Sequence, residues 1–266
     1  MKLELKENIN VIVDLENKIL WLFIGNENEL HYSFITISNF YNSINEITSI
    51  VVKNQIKTII MKSPNKKVWN MGGDLEFFIK CIKEGKKNSL YEYAYNCITI
   101  VHTISNAFNS NAVVIALVQG NAYGGGFECA LAADYIVSES HVKYSFPESI
   151  FGSFPGMGAY SFLTRKVGYE KANDMICSNK RWNTKELVEM NIVHSIFKGD
   201  DQEIIRLIQK DIFKSKDVFS KICCIPSLAE LKTIVDKWLS KTVNLEKDKI
   251  NFMEKLIKAQ KRALKN

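Results

Sequence analysis

The sequence has little that would direct it to a membrane, a metal or a nucleic acid. No stretch reaches the roughly 18 uninterrupted apolar residues of a membrane-spanning helix. The opening MKLELKENINVIVDLENK carries charges where a signal peptide is apolar. A soluble, cytoplasmic chain without a membrane span is therefore expected. The six cysteines, Cys81, Cys97, Cys129, Cys177, Cys223 and Cys224, form no C-x-x-C pair, so buried free thiols are expected instead of a zinc or redox centre. His31, His102, His141 and His194 are too far apart for an H-E-x-x-H site, and neither metal nor cofactor is expected. The net charge of +6 is modest and lies mostly in the last 26 residues, where eight Lys or Arg face three Asp or Glu. Without interleaved aromatics or a DNA-binding motif, these charges do not imply nucleic-acid binding. They read either as a solvated helix face or as attraction for an acidic partner or a phosphate-bearing substrate.

What the chain does have is length and apolar content: 266 residues, 46% hydrophobic, enough for a sizeable core. Residues 11–15 and 18–25 read as a strand hairpin, 37–54 as a helix and 57–63 as a buried strand. A polar turn at 65–70 leads through Met71-Gly72-Gly73-Asp74 into a helix at 75–85. A helical pattern at 90–108 precedes an apolar strand at 112–120. Further helical patterns lie at 158–178 and 184–190, then a strand at 192–197. Three helices are expected over 201–265, the second starting at Pro226. Strands alternating with helices predict an α/β core over 1–200 and a helical region over 201–266.

The most informative segment is Gly120-Asn121-Ala122-Tyr123-Gly124-Gly125-Gly126-Phe127-Glu128. Three glycines between a buried strand and a helix let a ligand approach the backbone, where N–H groups at the helix start favour an oxyanion. Neither phosphate-loop pattern, G-x-G-x-x-G or G-x-x-x-x-G-K-[ST], fits. Close helix packing is the bland explanation for the glycines. Glu128 follows in the first helical turn among Phe127, Cys129 and Ala130, so desolvation is expected to raise its pKa, unless it serves only as a helix-capping acid. Glu148 sits in the hydrophobic loop Ser145-Phe146-Pro147-Glu148-Ser149-Ile150-Phe151, an odd place for an acid without a task. Two such carboxylates beside an oxyanion site suggest acid–base chemistry at a carbon next to a carbonyl. Gly72-Gly73-Asp74 repeats the device and could supply a second oxyanion N–H, with Asp74 assigned to helix capping.

Taken in order, Gly72-Gly73-Asp74-Leu75, the run from Val118 to Glu128 (V-x-G-x-A-x-G-G-G-x-E), Pro147-Glu148 and Phe154-Pro155-Gly156-Met157-Gly158 resemble the crotonase (enoyl-CoA hydratase) superfamily over roughly residues 10–200. The resemblance implies a spiral of ββα units, a homotrimer or dimer of trimers, and C-terminal helices that complete the site or the subunit contacts. It implies oxyanion N–H groups at Gly73 and Gly125, acid–base glutamates at Glu128 and Glu148, and substrate contacts at Gly72, Gly124, Met157 and Trp238, with core packing the alternative for the last two. The wording of 70–75, 118–122, 126–128 and 154–162 is closest to the diffusible-signal-factor synthases, which make cis-2-unsaturated fatty-acid signals. Tyr123 departs from the pattern, where a smaller aliphatic residue is common. The implied substrate is a 3-hydroxyacyl chain on acyl carrier protein. Glu148 would take the C2 proton and Glu128 would protonate the departing hydroxyl, before thioester hydrolysis releases the acid. The alternatives are an ordinary enoyl-CoA hydratase, a polyketide-pathway dehydratase, or a non-catalytic interaction module such as a sensor-kinase partner.

Overall fold

The structure, a computed structural model, describes residues 1–65, 67–210 and 213–263, with side chains as far as residue 258. The chain opens with β1 (Lys2–Lys6), β2 (Ile9–Asp14), β3 (Ile19–Ile24) and α1 (Phe34–Lys53), followed by β4 (Thr58–Lys62), β5 (Val68–Asn70), α2 (Leu75–Lys83) and α3 (Lys87–Ser105). The centre consists of β6 (Val113–Val118), β7 (Asn121–Tyr123), α4 (Gly125–Leu131), β8 (Tyr135–Glu139), β9 (Lys143–Ser145), α5 (Ala159–Val167) and α6 (Tyr169–Cys177). It continues with β10 (Trp182–Asn183), α7 (Thr184–Glu189) and β11 (Ser195–Phe197), and ends with α8 (Asp201–Gln209), α9 (Val218–Cys224), α10 (Leu228–Thr242) and α11 (Lys247–Ala263).

Three consecutive units repeat one pattern. β4, β6 and β8 run parallel and adjacent in a seven-stranded sheet ordered β1-β2-β3-β4-β6-β8-β11. The strand after each of them, β5, β7 and β9, joins a second sheet ordered β10-β9-β7-β5, where these three are also parallel neighbours. A chain that alternates between two sheets in this way, with helices between the passes, is the ββα spiral of the crotonase fold. β6, Val-Val-Ile-Ala-Leu-Val, is buried along its whole length, as expected for a central parallel strand covered on both faces. One face packs on α1 and α3 through Phe40, Ile47, Ile98 and Val101, and the other packs on Ile204 of α8 and on Phe213.

The structure corrects several sequence expectations. Residues 65–70 are not all turn: the Asn65 side-chain oxygen accepts from the N–H groups of Lys67 and Val68, closing the turn early, so that 68–70 extend and pair with β7. The helical pattern at 158–178 is broken at Gly168, whose φ of +80° ends α5 and starts α6. Residues 107–109 leave the helix in left-handed conformations, which bury Phe108 under the sheet. Beyond residue 200 the described residues form four helices, not three, and the one after Pro226 begins at Leu228, N-capped by Ser227. Cys81, Cys97 and Cys129 are buried, but Cys177, Cys223 and Cys224 are exposed. Among the described residues, no helix is long and apolar enough to cross a membrane. Part of the basic tail, Lys261, Arg262 and Lys265, lies outside the described side chains.

Candidate active site

Strands β5, β7 and β9 of the small sheet end side by side, Asn70 in register with Ala122 and Ala122 with Tyr144. Each runs into a loop that contributes one part of a single cavity: Gly72 and Gly73 after β5, Gly125 and Glu128 after β7, Glu148 after β9. The cavity has a volume of about 470 Å³ and is lined mainly by apolar side chains. Met157 and Trp238, expected on the sequence to border the substrate, also line it.

The two glycine turns pack against each other. A Cβ on Gly72 would stand 3.1 Å from the Gly125 nitrogen, and one on Gly125 would stand 3.7 Å from the Gly73 nitrogen, so the two N–H groups share one corner. Gly125 is the first residue of α4, where backbone donors have no partner within the helix. Neither N–H meets a protein acceptor among the described residues.

Gly124 does not line the cavity. Its φ of +50° and ψ of −127° lie outside the regions that L-residues favour, and a Cβ there would run into Glu148 Oε1. Its absent side chain makes room for the second carboxylate, whereas the sequence reading made it a direct substrate contact. Gly126 serves packing, since a Cβ there would collide with the Asn70 carbonyl.

Glu128 is buried, and Oε1 accepts from the N–H groups of Met157 (2.8 Å) and Ala159 (2.9 Å). It therefore faces a helix N-terminus, though that of α5 instead of its own. Burial raises its pKa to about 7 against the pull of those backbone donors. Glu148 sits in a 3-10 turn over Pro147–Phe151, its Oε2 buried without a hydrogen-bond partner. Burial first, and the charge of Glu128 second, push its pKa well above the usual carboxylate range. Asp74 has the capping role expected of it, its Oδ1 accepting from Phe77 N–H at 3.0 Å.

Several contributors had no local sequence signal. Phe78 of α2, Tyr93, Ala94 and Cys97 of α3, and Met253 and Leu256 of α11 wall the apolar end, where the Trp238 and Phe78 rings meet edge to face at 5.4 Å. Each looks like ordinary helix core in the sequence. At the mouth stand Lys67, Asn179 and Arg181, with the Arg181 guanidinium 5.9 Å from the centre of the Tyr123 ring.

A family model described as enoyl-CoA hydratase/isomerase matches residues 37–222, which contain both glycine turns and both glutamates. The chain belongs to the enoyl-CoA hydratase/isomerase family. It is 34% identical over 93 residues to a carnitinyl-CoA dehydratase of Salmonella arizonae, which is 35% of this chain and 36% of that protein. To the human peroxisomal bifunctional enzyme it is 30% identical over 114 residues, 42% of this chain and 16% of that protein. The chain thus spans about a third or less of these two curated relatives. An enoyl-CoA hydratase of Bacillus halodurans has the same fold, with a TM-score of 0.73 and 20% identity over 93% of this chain and 98% of that one. Pseudomonas aeruginosa DspI also shares it, with a TM-score of 0.62 and 18% identity over 90% and 93% of the two chains.

Proposed function

We infer that the protein adds water to, and eliminates it from, the C2–C3 bond of an acyl thioester. The observation that carries this reading is one cavity holding the buried Glu128 and the half-buried Glu148, whose Oε2 is buried, both with raised pKa values, beside two unengaged glycine N–H groups. Charge that develops on the thioester oxygen as C2 becomes nucleophilic would be held by the Gly73 and Gly125 N–H groups. The carboxylates exchange protons around it. Glu128, with two N–H donors on Oε1, is the better place for the pair's negative charge, and Glu148, with a partnerless Oε2, is the better place for the proton. From that state Glu128 takes a proton from water attacking C3 while Glu148 delivers its proton to C2. The proton is then on Glu128, which is the starting state for elimination. Both directions thus use a pair that shares one proton.

The test is to incubate the purified protein with a trans-2-enoyl-CoA and separately with the corresponding 3-hydroxyacyl-CoA, following the conjugated thioester by absorbance and both species by mass spectrometry. Interconversion is expected in both directions, and its absence in both would overturn the reading.

The finer reading is a synthase of cis-2-unsaturated fatty-acid signals acting on an acyl-carrier-protein thioester. The wording of residues 70–75 and 154–162 supports it, as do Lys67 and Arg181 at the mouth, where an acidic carrier would approach. A 3-hydroxyacyl chain on carrier protein should be consumed faster than the same chain on CoA, with an advantage that shrinks as salt rises, and free cis-2-enoic acid should appear. Preference for CoA with every thioester left intact would leave the ordinary hydratase.

The apolar end should govern chain length. Ala94→Leu extends a side chain into it, and kcat/KM for long acyl chains is expected to fall by about tenfold or more relative to short ones, since a methylene in such a pocket is worth about 1–3 kcal/mol. A chain-length series of thioesters measures this directly, and an unchanged profile would remove Ala94 from the acyl wall.

A further inference from the structure

The geometry points to Tyr93 as a positioning residue that aims the Gly73 N–H. This rests on the reading of Gly73 as an oxyanion donor and extends it to the residue that holds that donor. Around the turn, the neighbouring N–H groups and the Gly72 carbonyl are tied down. Met71 N–H donates to the Leu30 carbonyl at 2.7 Å, Gly72 N–H donates to Asn70 Oδ1 at 2.7 Å, and the Gly72 carbonyl accepts from Tyr32 N–H at 2.8 Å. Tyr32 and Gly73 pair as a parallel bridge, which sets the Asp74 N–H against the Tyr32 carbonyl. The Gly73 N–H alone is left without a protein acceptor among the described residues.

Tyr93 closes this arrangement from α3. Its hydroxyl donates to the Tyr32 carbonyl at 2.7 Å, so the residue that bonds Gly72 through its N–H is held through its carbonyl by Tyr93. The same oxygen lies 3.5 Å from where a Gly73 Cβ would be, close against the donor peptide. A phenol has one proton, and Tyr32 receives it, so Tyr93 has none to give a substrate although its side chain lines the cavity. Its contribution is therefore orientation. Without the hydroxyl, the Tyr32 carbonyl loses a donor, Tyr32 holds the Gly72 carbonyl less firmly, and the Gly72–Gly73 peptide that carries the donor can tilt it away from the thioester oxygen.

The probe is S-octanoyl-pantetheine, a saturated thioester that cannot react at C2–C3 and contains the part common to CoA and carrier protein. Bound to the wild type, its carbonyl stretch, read by difference infrared spectroscopy, should move to lower frequency than in water. Tyr93→Phe should bind it with similar affinity but lose about half of that shift. In turnover, kcat should fall by about tenfold with KM within about threefold, since losing a donor outright costs about 100- to 1,000-fold and a misaimed one retains part of its effect. Ile98→Ala, a fully buried change on the same helix outside the cavity, should lower stability and leave the shift intact, which separates orientation from general loosening. A full shift in Tyr93→Phe would overturn the inference. No shift in the wild type would remove the oxyanion reading itself, and the inference with it. Should Tyr93→Phe not fold, amide exchange in the wild type decides. Asp74 N–H should exchange slowly throughout and Gly73 N–H fast until the probe binds, and equal rates for the two in the free protein would overturn the proposal.

Discussion

Glu148→Gln is expected to lower kcat for hydration by about 10³-fold, within the range of about 10²–10⁴ attributed to a positioned general acid or base. The amide keeps the size and one oxygen of the carboxylate, so the turn over Pro147–Phe151 and its contact with Gly124 should persist. The same substitution has an opposite effect on stability, whose sign follows from the raised pKa. Between the ordinary carboxylate value and the raised one, the folded protein holds a proton that the unfolded chain has released, so stability falls as pH rises through that window. Gln never ionises, and this loss disappears with it. The variant should therefore melt higher than the wild type at about pH 8 and converge with it below the unfolded carboxylate pKa near 4.3. Thermal unfolding at both pH values, beside turnover at the first, checks the pair of effects. A variant that is inactive and also less stable at the higher pH would mean that Glu148 is a structural carboxylate.

Gly124→Ala should lower kcat by about 10²-fold, because misplacing a reacting group by about 1 Å can cost that much. The new methyl group would meet Glu148 Oε1, and the carboxylate, at the end of a side chain, moves more readily than the backbone around it, while the φ of +50° adds backbone strain that lowers stability as well. The check is a double-mutant cycle. In a Glu148→Gln background the reacting carboxylate is already absent, so adding Gly124→Ala should cost far less in kcat than it does alone. Fully additive losses would show that Gly124 acts on catalysis by another route. Gly126→Ala provides the contrast in turnover, since its methyl group meets the Asn70 backbone carbonyl instead of a reacting carboxylate and should reduce stability before it changes kcat.

Why part of the site was legible in sequence and part was not follows from the range of the interactions involved. Gly72, Gly73 and Gly125 stand out because backbone access requires the absence of a Cβ, a local property written in the residue type. Glu128 and Glu148 stand out because carboxylates amid Phe, Cys, Ala and Pro contradict their surroundings. Gly124 carried the same local signal, but its partner, Glu148, is 24 positions away in sequence, and only the folded chain shows that its missing side chain serves the carboxylate instead of the substrate. Tyr93, Phe78, Cys97 and Met253 gave no signal, because an aromatic or apolar residue on a helix is the same in sequence whether it meets another side chain or the wall of a cavity.

By itself, then, the sequence determined the alternation of strands and helices, the two glycine turns and the two out-of-place acids, since periodicity, backbone freedom and desolvation are each felt within a few residues. Only the tertiary structure decided that β5, β7 and β9 of the small sheet end side by side, with Asn70, Ala122 and Tyr144 in register, so that turns and acids far apart in the chain open into one cavity. It also decided that Glu128 faces the start of α5, and that α2, α3, α10 and α11 close the apolar end. These are choices among long-range pairings, made by strand register and by which apolar faces bury each other, and no window along the chain contains both partners.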